Sequence, residues 1–148
     1  MNKDSLISAL SHFIIEAKRL MDETHQAQDR QIYGLYLAHV GVILAKIAQD
    51  EGIGDAIDTM ERLFSNTWLR DEKAYHQLYS AWDDFKRLLA EFIHGMTVNE
   101  RLYTLGLLDE FDKAVQHGSE DRMRIVLSKC FLSENNIRRI IDHQFKKQ

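Results

Sequence analysis

Seven histidines, one cysteine and a single E-x-x-H spacing are the features of this 148-residue chain that could carry chemistry. Glu91-Phe92-Ile93-His94 would place a carboxylate and an imidazole on one helix face, the spacing by which helical bundles hold a di-iron centre. Such a centre needs a second E-x-x-H and a glutamate from each of two further helices. No second copy occurs, so the expectation is no metal and no cofactor. His94 also precedes Gly95, and an imidazole at a helix C-terminus is favoured by the helix dipole without any ligand role.

Arg19/His25, Arg70/His76, Arg87/His94 and Arg138/His143 fit R-x(4–6)-H, the pattern with which helical ribonucleases of the HEPN type hold phosphate and move protons. Four matches in a chain with ten arginines show how loose the pattern is. Only Arg70/His76, beside Trp68, merits a test. Cys130 has no adjacent histidine to activate it and reads as a small core hydrophobe. A Gly-rich phosphate loop, a G-x-S-x-G elbow and H-E-x-x-H are all missing from the sequence, so the chain is not expected to be an enzyme.

Charge patterning remains. Asp22-Glu23, Asp50-Glu51, Asp55, Asp58, Glu61, Asp83-Asp84 and Asp109-Glu110 with Asp112 form an acidic series that basic residues do not fully interleave. Singly these are helix caps and solvated faces; together they could form an acidic surface. With 19 Lys+Arg against 23 Asp+Glu the net charge is −4, which disfavours nucleic acid as a partner and suits a basic protein. Trp68, Asp83, Asp84, Asp109, Glu110 and Asp112 are the expected contact residues, the tryptophan as a rigid aromatic anchor.

The elements that must position these residues read as helices. Proline is absent and there are only seven glycines. Leu6, Ile7, Leu10, Phe13, Ile14, Ala17, Leu20 and Met21 form one stripe behind Asp4 or Ser5 as N-cap. A polar stretch from Asp22 to Arg30 separates it from a second stripe, Ile32, Tyr33, Tyr36, Val40, Ile43, Leu44 and Ile47, which ends before Gly52 and Gly54. Asp55 is expected to cap a third helix through Ile57, Met60, Leu63 and Phe64. The fourth spans Asp71 to His94 with Ala74, Tyr75, Leu78, Trp82, Phe85, Leu89 and Phe92 inward, stopped by Gly95 in the left-handed conformation.

Four short helices follow. Thr97 and Glu100 make a T-x-x-E capping box, Gly106 bends or ends that helix, and the next, with Leu108, Phe111, Ala114 and Val115, stops at His117-Gly118. Ser119 and Ser133 cap the last two. Neither a period-2 strand pattern, an internal repeat nor a low-complexity segment stands out. The expected fold is all-α, one domain over residues 1–148, with four longer helices and four short ones packed onto them. No apolar run approaches the roughly 20 residues of a membrane span. Met1-Asn2-Lys3-Asp4 lacks the charged lead of a secretory signal, and the lone cysteine suits the cytoplasm.

The segment Gly95-Met96-Thr97-Val98-Asn99-Glu100-Arg101-Leu102-Tyr103 through Gly106-Leu107-Leu108-Asp109-Glu110-Phe111-Asp112, with Lys129-Cys130-Phe131-Leu132-Ser133, resembles a C-terminal module of small bacterial proteins, some of them similar to immunity proteins of polymorphic toxin systems of the contact-dependent or Rhs type. His39-Val40-Gly41-Val42-Ile43 and Thr59-Met60-Glu61-Arg62-Leu63 share the pattern more loosely. The resemblance implies a protein that binds and neutralises a cognate, basic toxin domain in the cytosol, and it brings no catalytic residues. The alternatives from other classes are an Arg-x(5)-His ribonuclease and a self-associating scaffold.

Overall fold

A computed structural model describes residues 3–146; Met1 and Asn2, part of the expectation about a leader, lie outside the described residues. Among those described, all regular structure is helical and one contiguous apolar core runs from Leu6 to Ile141. The helices are α1 (Lys3–Glu23), α2 (Ala27–Ala48), α3 (Gly54–Asn66), α4 (Glu72–His94), α5 (Val98–Leu105), α6 (Leu108–Gln116), α7 (Glu120–Ser128) and α8 (Glu134–Lys146).

The first four helices form a bundle in which α1 lies against both α2 and α4, and α3 packs on α2. Its centre is aromatic. Phe64 of α3 stacks on Tyr36 of α2 at 4.7 Å and meets Phe13 of α1 and Tyr79 of α4 edge-on at 6.2 and 5.4 Å. Trp82 and Phe85 complete the buried set. Each such pair adds roughly 0.5–1.5 kcal/mol beyond its burial, so this one residue ties all four helices. Trp82 Nε1 is buried without a hydrogen-bond partner among the described residues, a cost that the packing must offset.

The short helices continue as a chain of contacts, α5 on α3, then α6, α7 and α8 in succession. They sit at the end of the bundle where α2 turns into α3 and α4 stops. Here Ile53 N–H donates to the Thr104 carbonyl at 3.0 Å, and a Cβ on Gly52 would collide with the Gly106 backbone. Side-chain-free backbones at Gly52 and Gly106 are what let the two turns touch.

Five local expectations give way. Asp4 and Ser5 lie within the first turn of α1 and not at its N-cap. The polar separator shrinks to Thr24–Gln26, because Ala27, Gln28, Arg30 and Gln31 are good helix formers, Asp29 among them is held by the Arg70 and Asp71 N–H groups, and Thr24 Oγ1 accepts the Gln26 N–H at 3.2 Å to close the turn. Asp55 does not cap α3. Ile53 occupies that position without a side-chain bond, its own N–H being spent on Thr104, and Asp55 falls in the first turn, where the dipole favours a carboxylate. Gly95 does end α4, but in a right-handed conformation (φ −79°), the chain leading through Met96 straight into the Thr97 cap; Gly106 and Gly118 hold the left-handed turns instead. In α4's last turn Ile93 is fully buried and Phe92 only partly so.

The caps of the C-terminal helices stand as read. Thr97 Oγ1 accepts from Glu100 N–H while the Glu100 carboxylate takes the Thr97 N–H, and Ser119 and Ser133 accept from Arg122 and Asn136.

Candidate functional site

The expected contact residues fall into three places. Trp68, in the turn between α3 and α4, is 74 % exposed and lies face to face with Tyr75 at 6.1 Å, whose hydroxyl donates to the Phe64 carbonyl. The indole is thus held rigid against the aromatic core. It stands at the N-terminal end of α4, while the short helices begin at the other end, a helix length of about 34 Å away. Trp68 and the α6 acids therefore do not share one compact patch.

Asp83 and Asp84, midway along α4, are already engaged. Arg87 reaches both, Lys86 lies 4.0 Å from Asp83, and Lys86 also pairs with Glu61 of α3 at 2.6 Å. Exposed pairs of this kind are individually weak, but they leave this stretch close to neutral.

On α6 the carboxylates are free. Asp109, Glu110 and Asp112 are exposed and have no ion-pair partner among the described residues, although all three follow one another on a helix of nine residues. Asp109 and Glu110 lie in the first turn, where the exposed backbone N–H groups favour negative charge. The structure splits the trio. Asp109 opens onto a groove shared with Asp50, Glu51, Gly52, Tyr103 and Gly106, and Asp112 lies one turn along the same side. Glu110 points into a shallow depression between α6 and α7 that also holds Lys113 and Arg122.

The groove is the seam between the two halves. Its floor is the contact of the α2–α3 and α5–α6 turns, and its acids come from both. Asp50 adopts φ +56°, ending α2, and pairs with Lys3 at 2.5 Å; Glu51 pairs loosely with Lys46 at 3.8 Å. Tyr103, 60 % exposed, stands over the groove and also borders an adjoining cavity of about 80 Å³ lined by Leu6, Ile47, Leu89 and Phe92 together with Lys3, Asp50 and Glu51. An amphipathic ring beside a mostly apolar hollow and three carboxylates is a combination suited to holding a cationic, partly apolar protein segment.

Sequence reasoning passed over Tyr103 and gave Asp50 and Glu51 no special weight. Their only signal was the pair of glycines at 52 and 106, whose joint meaning requires the fold. It also missed two polar anchors. Arg101 donates to the carbonyls of His94, Met96, Cys130 and Phe131, binding the end of α4 to the α7–α8 turn at 3.1–3.2 Å. Asp29, fully buried in the first turn of α2, accepts the N–H groups of Arg70 and Asp71 at 2.9 and 3.3 Å and so fixes the start of α4, where Asp71 in turn caps Ala74. Burial beside Asp29 and Asp71 pushes the Tyr33 hydroxyl up to about 12.

The remaining chemical candidates are placed as follows. Glu91 and His94 are exposed on the last turn of α4, and no three His, Cys, Asp or Glu side chains converge as a metal site among the described residues. Arg70 donates to Gln26 at 3.4 Å, while His76 faces Glu72 at 3.8 Å, so the two hold different partners. Cys130 is buried, and the apolar surroundings raise its thiol to about 11, leaving it protonated and inert near neutrality. Comparison with protein-family models, with curated proteins and with solved structures finds no match to this chain.

Proposed function

We propose that this protein is an immunity-type inhibitor that binds a basic toxin domain through the acidic seam groove and neutralises it in the cytosol by covering its active surface. The observation that carries the reading is the contrast in charge state between two acidic stretches. Asp83 and Asp84 are balanced by Arg87 and Lys86, whereas Asp109 and Asp112 have no cationic partner among the described residues, and Asp109 lines the groove with Asp50 and Glu51, which pair with Lys3 and Lys46. An unpaired carboxylate beside an exposed aromatic, with a second one turn along the helix, raises the association rate of a cationic partner and fixes its register. The resemblance of the α5–α6 segment to modules of immunity-like proteins points the same way, because that segment supplies Tyr103, Asp109 and Asp112.

Within this reading Tyr103 takes the anchoring role expected of Trp68, being the exposed aromatic beside the acids. The test is co-expression with the products of the adjoining reading frames, in cells carrying either wild-type protein or the triple reversal Asp109→Lys, Glu110→Lys, Asp112→Lys. The expected outcome is that wild type restores growth against one such product and the reversed protein does not, with equal thermal melts. Full protection by a stably folded triple variant would remove the groove from the interface.

A further inference from the structure

By length and composition α2 is long and apolar enough to cross a membrane, contrary to the expectation drawn from the sequence, but its open face carries no mark of an occupant. A cavity framed by α3, α4 and the short helices does. It holds about 120 Å³ and shares no lining residue with the acidic groove. Buried Leu89, Leu105 and Leu107 line it, together with partly exposed Ile57 and Phe131. Asp55, Asp58 and Lys129 bring charge to the same lining.

The walls of this cavity are clamped by contacts that the fold makes for itself. A Cβ on Gly54 would collide with the Leu105 carbonyl, so the start of α3 and the end of α5 meet backbone to backbone. Arg101 holds another wall by donating to the carbonyls of Cys130 and Phe131 at 3.1 and 3.2 Å. Phe131 is left-handed (φ +59°), a conformation that a bulky residue rarely adopts, and its ring is left 41 % exposed at the cavity. A hollow held in this way is already formed when a guest arrives, which lowers the ordering cost of binding.

Charge and volume together say which guest. In the adjoining cavity of about 80 Å³ the charged groups are already matched within the fold, Asp50 by Lys3 and Glu51 by Lys46. Here they are not: Asp55, Asp58 and Lys129 are exposed, and none has an ion-pair partner among the described residues. Carboxylates three residues apart on α3 are neighbours on one side of the helix and suit an ammonium, while Lys129, the C-cap of α7, suits a carboxylate. A molecule with an ammonium, a carboxylate and a hydrocarbon group for the apolar floor is an α-amino acid. An apolar cavity of about 150 Å³ takes a benzene ring, so the smaller space here takes a four-carbon branched chain in preference to a phenyl or an indole. We infer that this cavity binds a free branched-chain amino acid of leucine size, its ammonium on Asp55 and Asp58, its carboxylate on Lys129 and its side chain against Leu89, Leu105 and Leu107. The inference is independent of what the acidic groove binds.

Isothermal titration of the full chain with L-leucine tests this, with isopentylamine and isocaproate as probes that keep the hydrocarbon chain and each lack one charged group. L-Leucine is expected to bind saturably, one molecule per chain, and each probe at least roughly tenfold more weakly. Asp55→Asn with Asp58→Asn, and separately Lys129→Gln, should each raise the leucine dissociation constant at least roughly tenfold, while Gln77→Asn on exposed α4 leaves it unchanged. Far-UV spectra and melts without ligand show that the variants are folded. Ile57→Trp gives a second reading that leaves every charge in place: a larger ring at a partly exposed wall position obstructs the cavity and should abolish binding. No saturable heat from L-leucine at millimolar concentration overturns the inference, and so does an amine or acid probe that binds as tightly as leucine. Leucine that binds the charge variants and Ile57→Trp as well as wild type sits elsewhere, which overturns it too.

Discussion

The two halves of this molecule are held together by different physics. In the bundle of α1–α4, long helices meet over a continuous aromatic and aliphatic core, with Phe64 touching rings from the other three helices. In α5–α8 the helices are about two to four turns long, and their ends are closed by Thr97, Ser119 and Ser133, by left-handed Gly106 and Gly118, and by one arginine bonded to four carbonyls. Isolated helices of that length are marginal in water, so the second half depends on caps and staples as well as burial. Where the halves meet, two turns touch backbone to backbone and frame the acidic groove. A site at such a seam is positioned by both halves, so loosening either one should weaken it.

Phe64→Ala should show the largest effect on stability, about 3–5 kcal/mol in denaturant melts, because it empties the centre of the bundle. The loss should be global, with no part of the bundle keeping native hydrogen-exchange protection. A loss below about 1 kcal/mol would mean that the aromatic cluster is not what unites the four helices.

Gly52→Ala comes next. Its methyl would collide with the Gly106 backbone, and neither turn has a flexible side chain there to yield. We expect a loss of about 2–3 kcal/mol. The exchange pattern should sharpen the comparison: amides near Ile53 and Thr104 exchange faster while the bundle centre stays protected. Unchanged exchange at Ile53 would contradict the close approach.

Arg101→Met keeps the aliphatic stem and removes every guanidinium bond. A loss of about 2 kcal/mol is expected, since charge-assisted bonds to backbone carbonyls are replaced by water at only some of them. It should fall on α5–α8 and spare α1–α4. Equal loosening of both halves would contradict the division drawn here.

Thr97→Ala should cost least, about 1 kcal/mol, the ordinary penalty for an N-cap, and it should appear as fraying of α5 alone. An unchanged midpoint would mean that the capping box contributes nothing in solution.

Legibility in the sequence followed the range of the interactions. Thr97, Ser119 and Ser133 act on groups three residues away, so their roles could be read from spacing alone. The stripes of α1, α2 and α4 were legible because burial imposes a 3.6-residue period over many turns. Asp29 was read as part of a polar linker because the N–H groups it serves lie at Arg70 and Asp71, far along the chain. Arg101 and the Gly52–Gly106 contact were hidden for the same reason. Of the site, the acids of α6 were legible as charge, and the i,i+4 and i,i+3 spacing of Asp83 and Asp84 to Arg87 stands in the sequence, but the meeting of Asp109 with Asp50, Glu51 and Tyr103 became visible only in three dimensions.

The central claim is that the acidic seam groove, and not the α4 acids, receives a basic protein. Its most direct measurement is the affinity of a catalytically inactivated toxin domain, once protection has identified it, for three proteins: wild type, Asp109→Lys with Asp112→Lys, and Asp83→Lys with Asp84→Lys. The account predicts that reversal on α6 weakens binding by at least about 2 kcal/mol, with slower association and a shallower dependence on salt. Reversal on α4 should stay within about 0.5 kcal/mol of wild type, as expected for surface changes away from a contact. Equal losses from the two reversals, or a larger loss from α4, would contradict it.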